Sequence, residues 1–230
     1  MVRTSMAEAS PAPPGIRQAI LSSLRQNRLA CLGLNGLVVA LVVSYYRFPP
    51  VAAVWEAVGR LKTTTSFGFS FVSTVVAAVL VPALVQRVLG GALPTGQRRH
   101  LLWSALFWGW RGMEIDLFYR VQGQLFGQGN DVKTLAAKLA VDQLVYSAFW
   151  AIPCYLFFIR WLELRRWSEV WKSVDRRFWN HTYLSVLFTN WLVWVPTVTL
   201  VYSLPAALQF PLFSIVLTFY VLLITVLVKA

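Results

Sequence analysis

The sequence is short of charge, and of acid above all. Only 13% of its 230 residues are Asp, Glu, Lys or Arg, and nine of them are acidic. A soluble globular domain carries about 25%. A chain this poor in charge cannot cover its surface in water, which excludes a soluble fold and calls for lipid. Histidine is scarce too: His100 and His181 are the two, both near the ends of apolar runs. Neither belongs to an HExxH pattern, and no GxSxG or P-loop sequence occurs. Membrane enzymes need convergent acid, base, nucleophile or metal groups, so the chain reads as a non-enzyme without metal or cofactor. The two cysteines, Cys31 and Cys154, lie within apolar runs and outside any CxxC or Cys/His cluster. They read as small buried thiols, not a redox or zinc site. The alternating polarity of barrel strands is also missing. Helices remain, because they satisfy their own backbone in lipid.

What is there is apolar: 57% of the residues are hydrophobic and the mean hydropathy is +0.59. Six runs stand out, at Leu29–Tyr46, Ser66–Leu89, Leu101–Tyr119, Leu135–Ile159, Thr182–Ser203 and Ala207–Val228. Each approaches the roughly 20 residues that a span needs. The expectation is an all-α, polytopic transmembrane helix bundle of about six spans, occupying residues 29–230. Residues 1–28 form a separate basic segment. Its first part, 1–16, is Pro-rich (Pro11, Pro13, Pro14) and expected to be disordered. Arg17–Arg28 reads as a short amphipathic basic helix, either a weak organelle-targeting segment or the flank of the first span.

The net charge is +12, and the basic residues sit at the ends of the apolar runs. That placement points to anionic lipid headgroups as the partner, not nucleic acid. With six spans, 14 Lys/Arg fall on one side and 6 on the other, which places both termini on the positive side. At helical spacing, Arg160–His181 puts Trp161, Leu164, Trp167, Trp171, Val174 and Phe178 on one arc and Arg165, Arg166, Lys172, Arg176 and Arg177 on the other. This predicts a helix lying in the headgroup plane. In the second run Ser66, Ser70, Thr74 and Ala78 recur every fourth residue, a stripe that lets helices approach closely.

The third run holds Arg111, Glu114, Asp116 and Arg120, and the fourth holds Lys138, Asp142 and Gln143. A charge at the centre of a span costs about 2.5 to 3.5 kcal/mol on insertion scales, so these side chains cannot face lipid. The three- and four-residue spacings predict the same-face pairs Arg111–Glu114, Asp116–Arg120 and Lys138–Asp142. Antiparallel neighbours bring Arg120, Asp116, Asp142 and Lys138 to a similar depth. Two readings stay open: a salt-bridge cluster locking two helices, or a polar constriction in a water-filled cavity. The fifth run adds Thr189, Asn190, Thr197, Thr199 and Tyr202, which either line a pore or hydrogen-bond between helices.

Several short motifs occur in an order that resembles the Mpv-seventeen family, the twenty-two-kilodalton peroxisomal membrane proteins. Asn190-Trp191-Leu192-Val193-Trp194-Val195-Pro196 is similar to that family's Asn-Trp-x-x-Trp-Pro, with one extra residue before the proline. Leu204-Pro205 resembles its Val-Pro, and Lys138 with Asp142-Gln143 resembles its Lys-x-x-x-Asp-Gln. Gly112 with Phe118-Tyr119, and the spaced Trp171, Val174 and Phe178, add to the likeness, which covers roughly residues 60–230. There are departures: Pro82 stands near the family's Gly-Asp carboxylate, Tyr220 replaces a tryptophan, and Gln209 replaces a basic residue. The resemblance implies a mitochondrial inner or peroxisomal membrane and a channel for small solutes, in a homo-oligomer or a membrane complex. A bacterial inner membrane is the alternative location. A non-catalytic accessory subunit is the alternative function.

Overall fold

The computed structural model describes the backbone over residues 16–88 and 97–227 and the side chains over 32–88 and 98–222. The disorder expected before residue 16 falls outside the described backbone, and the Cys31 thiol outside the described side chains. Among the described residues eight helices follow in order: α1 (Ile16–Arg47), α2 (Pro49–Thr65), α3 (Phe67–Val88), α4 (Gln97–Phe126), α5 (Val132–Leu164), α6 (Trp167–Lys172), α7 (Phe178–Tyr202) and α8 (Ala206–Leu227). There is no strand among the described residues. The boundary expected at residue 28 lies inside α1, which runs unbroken through it.

Helices run through all six expected apolar segments, but they are not equal as spans. α3, α5 and α7 are long and apolar enough to cross a membrane. α4 has the length, at 30 residues, but carries the buried charges. The described apolar part of α8 is shorter, Ala206–Leu222. α1 joins α2 in a broken pair bent by 104°. The bend comes from Pro49-Pro50. Phe48, placed before a proline, is extended (φ −122°, ψ 102°), so α1 stops and the prolines open α2. The stretch after Arg47, expected to be a connector, is therefore a helix. It lays Trp55, Gly59 and Lys62 against the start of α8.

α8 forms the centre. Phe210, Leu212, Phe213, Val216 and Leu217 are all buried, against α1 (Leu34, Val38, Val42), α4 (Ile115, Tyr119) and α7 (Val193, Trp194, Val198, Val201). By contrast Val72, Leu84, Leu102, Leu144, Val145 and Phe149 are more than half exposed. An apolar outer face on this scale is what lipid contact requires. The chain is an integral membrane protein built as an α-helical bundle.

The expected headgroup helix is broken. Trp161 and Leu164 belong to the last turns of α5. Arg165 then adopts a left-handed conformation (φ 59°) and Arg166 an extended one. This reversal folds Trp167 back onto Trp161, ring centroids 6.1 Å apart, with the Arg165 guanidinium 5.7 Å from the Trp161 ring. The short α6 buries Val170 and leaves Trp171 exposed.

The small-residue stripe works as a packing device. Ser70 and Thr74 are fully buried, both against Gly112 of α4, while Gly109 faces the Phe71 ring. A Cβ on Gly112 would collide with the Ser70 carbonyl and the Thr74 side chain, whereas one on Gly68 meets nothing within 4 Å. Gly112→Ala is therefore expected to force α3 and α4 apart and to destabilise by about 1–3 kcal/mol. Gly68→Ala should be neutral or slightly stabilising. Thermal unfolding of the two variants in detergent distinguishes them, and equal melting points would refute the close packing.

Candidate functional site

Three groups of polar side chains divide the interior. The first surrounds Asp116. Its Oδ1 accepts from Lys62 Nζ at 2.6 Å and from Arg120 Nε at 3.2 Å. Its Oδ2 accepts from Ser70 at 2.8 Å and from Arg120 Nη2 at 3.2 Å. Arg120 also donates to Ser66 and lies over the Phe67 ring. The Asp116–Arg120 pair is as expected. Lys62 is an addition to the expected cluster, because it lies between the apolar runs and outside the third and fourth of them. Its signal was nevertheless present: Trp55, Gly59 and Lys62 share one helix face by spacing.

The second group is Arg111–Glu114, also as expected from spacing. Arg111 Nη1 reaches both Glu114 oxygens at 2.8 and 2.7 Å. Glu114 accepts two more bonds, from the Tyr146 hydroxyl (2.8 Å) and the Trp150 indole (2.6 Å) of α5. These four hydrogen bonds leave the pair well satisfied and close to neutral.

The third group centres on Asp142 of α5. Its Oδ2 accepts from the Tyr202 hydroxyl of α7 at 2.6 Å. Its Oδ1 accepts from Gln143 at 2.9 Å and, at a long 3.5 Å, from Ser147. Tyr202 in turn accepts from Gln122 of α4 at 2.9 Å. The expected pair Lys138–Asp142 does not form: no basic nitrogen among the described residues lies within 4.0 Å of Asp142. Lys138 is buried beneath the Tyr202 ring, its ammonium 5.6 Å from the centroid. The single convergent constriction expected of Asp116, Arg120, Lys138 and Asp142 is accordingly two sites. Phe118 stacks on Tyr146 at 4.2 Å, so the turns of Arg120 and Asp142 do lie near one depth. They point to different partners because Lys62 and Ser70 claim one carboxylate and Tyr202 the other.

The motifs behind the family resemblance meet here. Asn190 donates to Gln143 Oε1 at 3.5 Å, and the Trp191 indole donates to the Gln143 carbonyl at 3.0 Å. That carbonyl lies in a π-helical stretch, Val141–Ala151, whose wider turns alter the usual ladder. Pro153 is the second residue after it, and Pro82 likewise the second after the π-turn Val76–Leu80. A widened turn relieves the clash of a proline ring with the carbonyl four residues back. Trp194 packs on Phe213 and Tyr220 at 5.4 and 5.6 Å. Pro196 lies inside α7, and Pro205 precedes α8.

These elements enclose a cavity of about 880 Å³ between α3, α4, α5, α7 and α8. It reaches from the exposed His100 and Arg165, at the end where α4 starts and α5 finishes, down to the buried Asp142, Gln143 and Tyr119. Arg111, Thr189 and Asn190 line it. Of the two roles open to the polar residues of α7, lining or hydrogen-bonding between helices, Thr197 takes the second, donating to Asn35 of α1, and Thr199 takes neither, donating to the Val195 carbonyl of its own helix. Tyr202 and Gln122, linked to Asp142 by hydrogen bonds, do not line the cavity, and neither does the Asp116 cluster. Among the described residues no group of three His, Cys, Asp or Glu is placed to hold a metal. No family model matches the sequence, and no curated protein or solved structure matches it.

The Lys62–Asp116 bridge is buried at both ends, while the Arg120 side chain is 43% exposed. Lys62→Met removes one partner of a buried pair and is expected to cost about 3 kcal/mol or more. Arg120→Gln should cost less than about 1 kcal/mol. Denaturation of both variants in the same detergent gives the order, and a larger loss for Arg120→Gln would contradict the burial.

Proposed function

We propose that the protein is a channel or solute-permeable pore of a membrane, held closed at one end. The observation that carries this reading is the one-sided cavity: an opening at His100 and Arg165, a shaft lined by five helices, and a polar floor at Asp142. A permeation path needs hydrogen-bonding groups to replace the hydration of the solute. Asp142, Gln143, Asn190 and Arg111 supply them. Gln122 Oε1 supports a continuation past the floor, being a buried oxygen without a partner among the described residues.

The likeness to the Mpv-seventeen family points the same way, since Asp142-Gln143 and Asn190-Trp191 come together in space. On that likeness we place the protein in a mitochondrial inner or peroxisomal membrane, a bacterial inner membrane being the alternative. The competing function is a non-catalytic subunit of a membrane complex. The exposed aromatics Phe149, Trp150, Trp167 and Trp171 favour it as a docking face, although interfacial lipid binds such residues equally well.

Proteoliposomes test the pore. In a chain freed of cysteine (Cys31→Ser, Cys154→Ser), Ser104→Cys places a thiol on the cavity wall. A bulky water-soluble maleimide is expected to label it and to cut solute flux several-fold. Ser70→Cys, buried between α3 and α4 away from the cavity, should be neither labelled nor affected. Absence of flux in unlabelled protein, or flux indifferent to labelling at residue 104, would overturn the proposal.

A further inference from the structure

The cavity has a polarity of its own, and it identifies a class of ligand. Its walls carry a chain of aromatic rings: Tyr119 meets Tyr202 at 5.3 Å and Phe213 at 6.2 Å, and Phe213 meets Trp194 at 5.4 Å. Trp108 and Tyr155 face the same space. The shaft is therefore largely apolar and aromatic, and its volume falls within the range of about 300–1,000 Å³ typical of pockets for small organic molecules.

Two ionic groups line the buried part. Arg111 is neutralised by both oxygens of Glu114. Asp142 is different. Each of its hydrogen bonds comes from a donor: Tyr202 O–H, Gln143 N–H and, more distantly, Ser147 O–H. Such a shell suits an ionised carboxylate, which can only accept. It nevertheless has no ion-pair partner among the described residues. Lys138 stands behind the Tyr202 ring and does not line the cavity. The basic mouth does not compensate either. Arg165, just past the end of α5, lies 23 residues along the chain from Asp142, about 35 Å at helical rise, far beyond ion-pair distance.

We infer that the cavity binds an amphipathic organic cation, with its ammonium against the Asp142 carboxylate and its apolar body along the Tyr119, Phe213, Trp194 and Trp108 rings. The aromatic faces add cation–π attraction around a charge that the carboxylate anchors. A bare or hydrated metal ion fits poorly, because one carboxylate and an apolar shaft offer too few ligands. An anion would meet an acidic floor and an arginine already engaged. This inference rests on the pore reading only in naming what enters the same cavity.

The test is binding, measured apart from flux. Calorimetry with the full chain in detergent compares phenethylammonium, neutral 2-phenylethanol and anionic 3-phenylpropanoate. The cation is expected to bind at least about ten-fold more tightly than either. Asp142→Asn should erase that preference and leave binding of the alcohol unchanged. Should Asp142→Asn fail to fold, the cysteine-free Ser104→Cys protein serves instead: attaching a bulky maleimide should abolish cation binding. Equal affinity for the three probes, tighter binding of the anion, or cation binding indifferent to residue 142 or to the blocked cavity would overturn the inference. Selective cation binding without flux would sink the pore and keep the site. Flux without cation preference would do the reverse.

Discussion

A charge placed among hydrocarbon needs a partner, and the lower half of this bundle is organised around how Asp116 is supplied with two. Lys62 arrives from α2, Arg120 from α4 itself, and the Ser70 hydroxyl from α3. A single carboxylate thereby ties together three consecutive helices. That demand makes sense of the sharp turn at Phe48–Pro49. A straight continuation of α1 could not return Lys62 to the bundle, whereas a helix bent by 104° can. The Gly109/Gly112 face of α4 then matters for electrostatics as well as packing, since Ser70 reaches Asp116 only when α3 lies this close.

The upper half is organised by the opposite property, a failure to fill space. Pro82 and Pro153 follow π-helical turns in α3 and α5, and residues of both turns line the cavity. Widened turns displace side chains from the positions that straight α-helices would give them, and an irregular ladder frees carbonyls for other donors. Trp191 takes one of these, at Gln143. The aromatic residues then bridge what the helices leave apart, ring against ring from Tyr202 to Tyr220.

Much of this was legible in the sequence, and the losses have identifiable causes. The apolar runs, the stripe from Ser66 to Ala78, and the pairs Arg111–Glu114 and Asp116–Arg120 depend on helical periodicity alone, so spacing revealed them. Lys138 and Asp142 have the same spacing and do not pair. Tyr202, sixty residues downstream, is the better partner for Asp142, and no local rule announces a contact of that range. Arg160–His181 has a helical arc that is real but interrupted: a left-handed residue at Arg165 lets two tryptophans stack. Lys62 was hidden differently. It falls between two apolar runs, in a segment too polar to be counted as a span, and the prolines that open its helix lack only an N–H that would be unsatisfied anyway.

The two halves meet at Tyr202, and its position explains why the cavity ends where it does. Its hydroxyl can donate once, and Asp142 takes that proton; its oxygen accepts from Gln122. The ring is held between Tyr119 on one side and the Lys138 ammonium on the other. Each bond leans on the next, and such chains strengthen cooperatively in a low dielectric. One member is incompletely satisfied: Gln122 Oε1 is buried without a partner among the described residues, an arrangement that costs about 1–3 kcal/mol. A bundle needing only rigidity at this depth would gain from an apolar residue in place of that amide. On the pore reading proposed above, a floor that opens has reason to keep it, because water reaching Gln122 would recover the lost bond and offset part of the cost of breaking Tyr202 from Asp142. On that reading the weakest link of the floor is Gln122, which is bonded to Tyr202 and does not line the cavity.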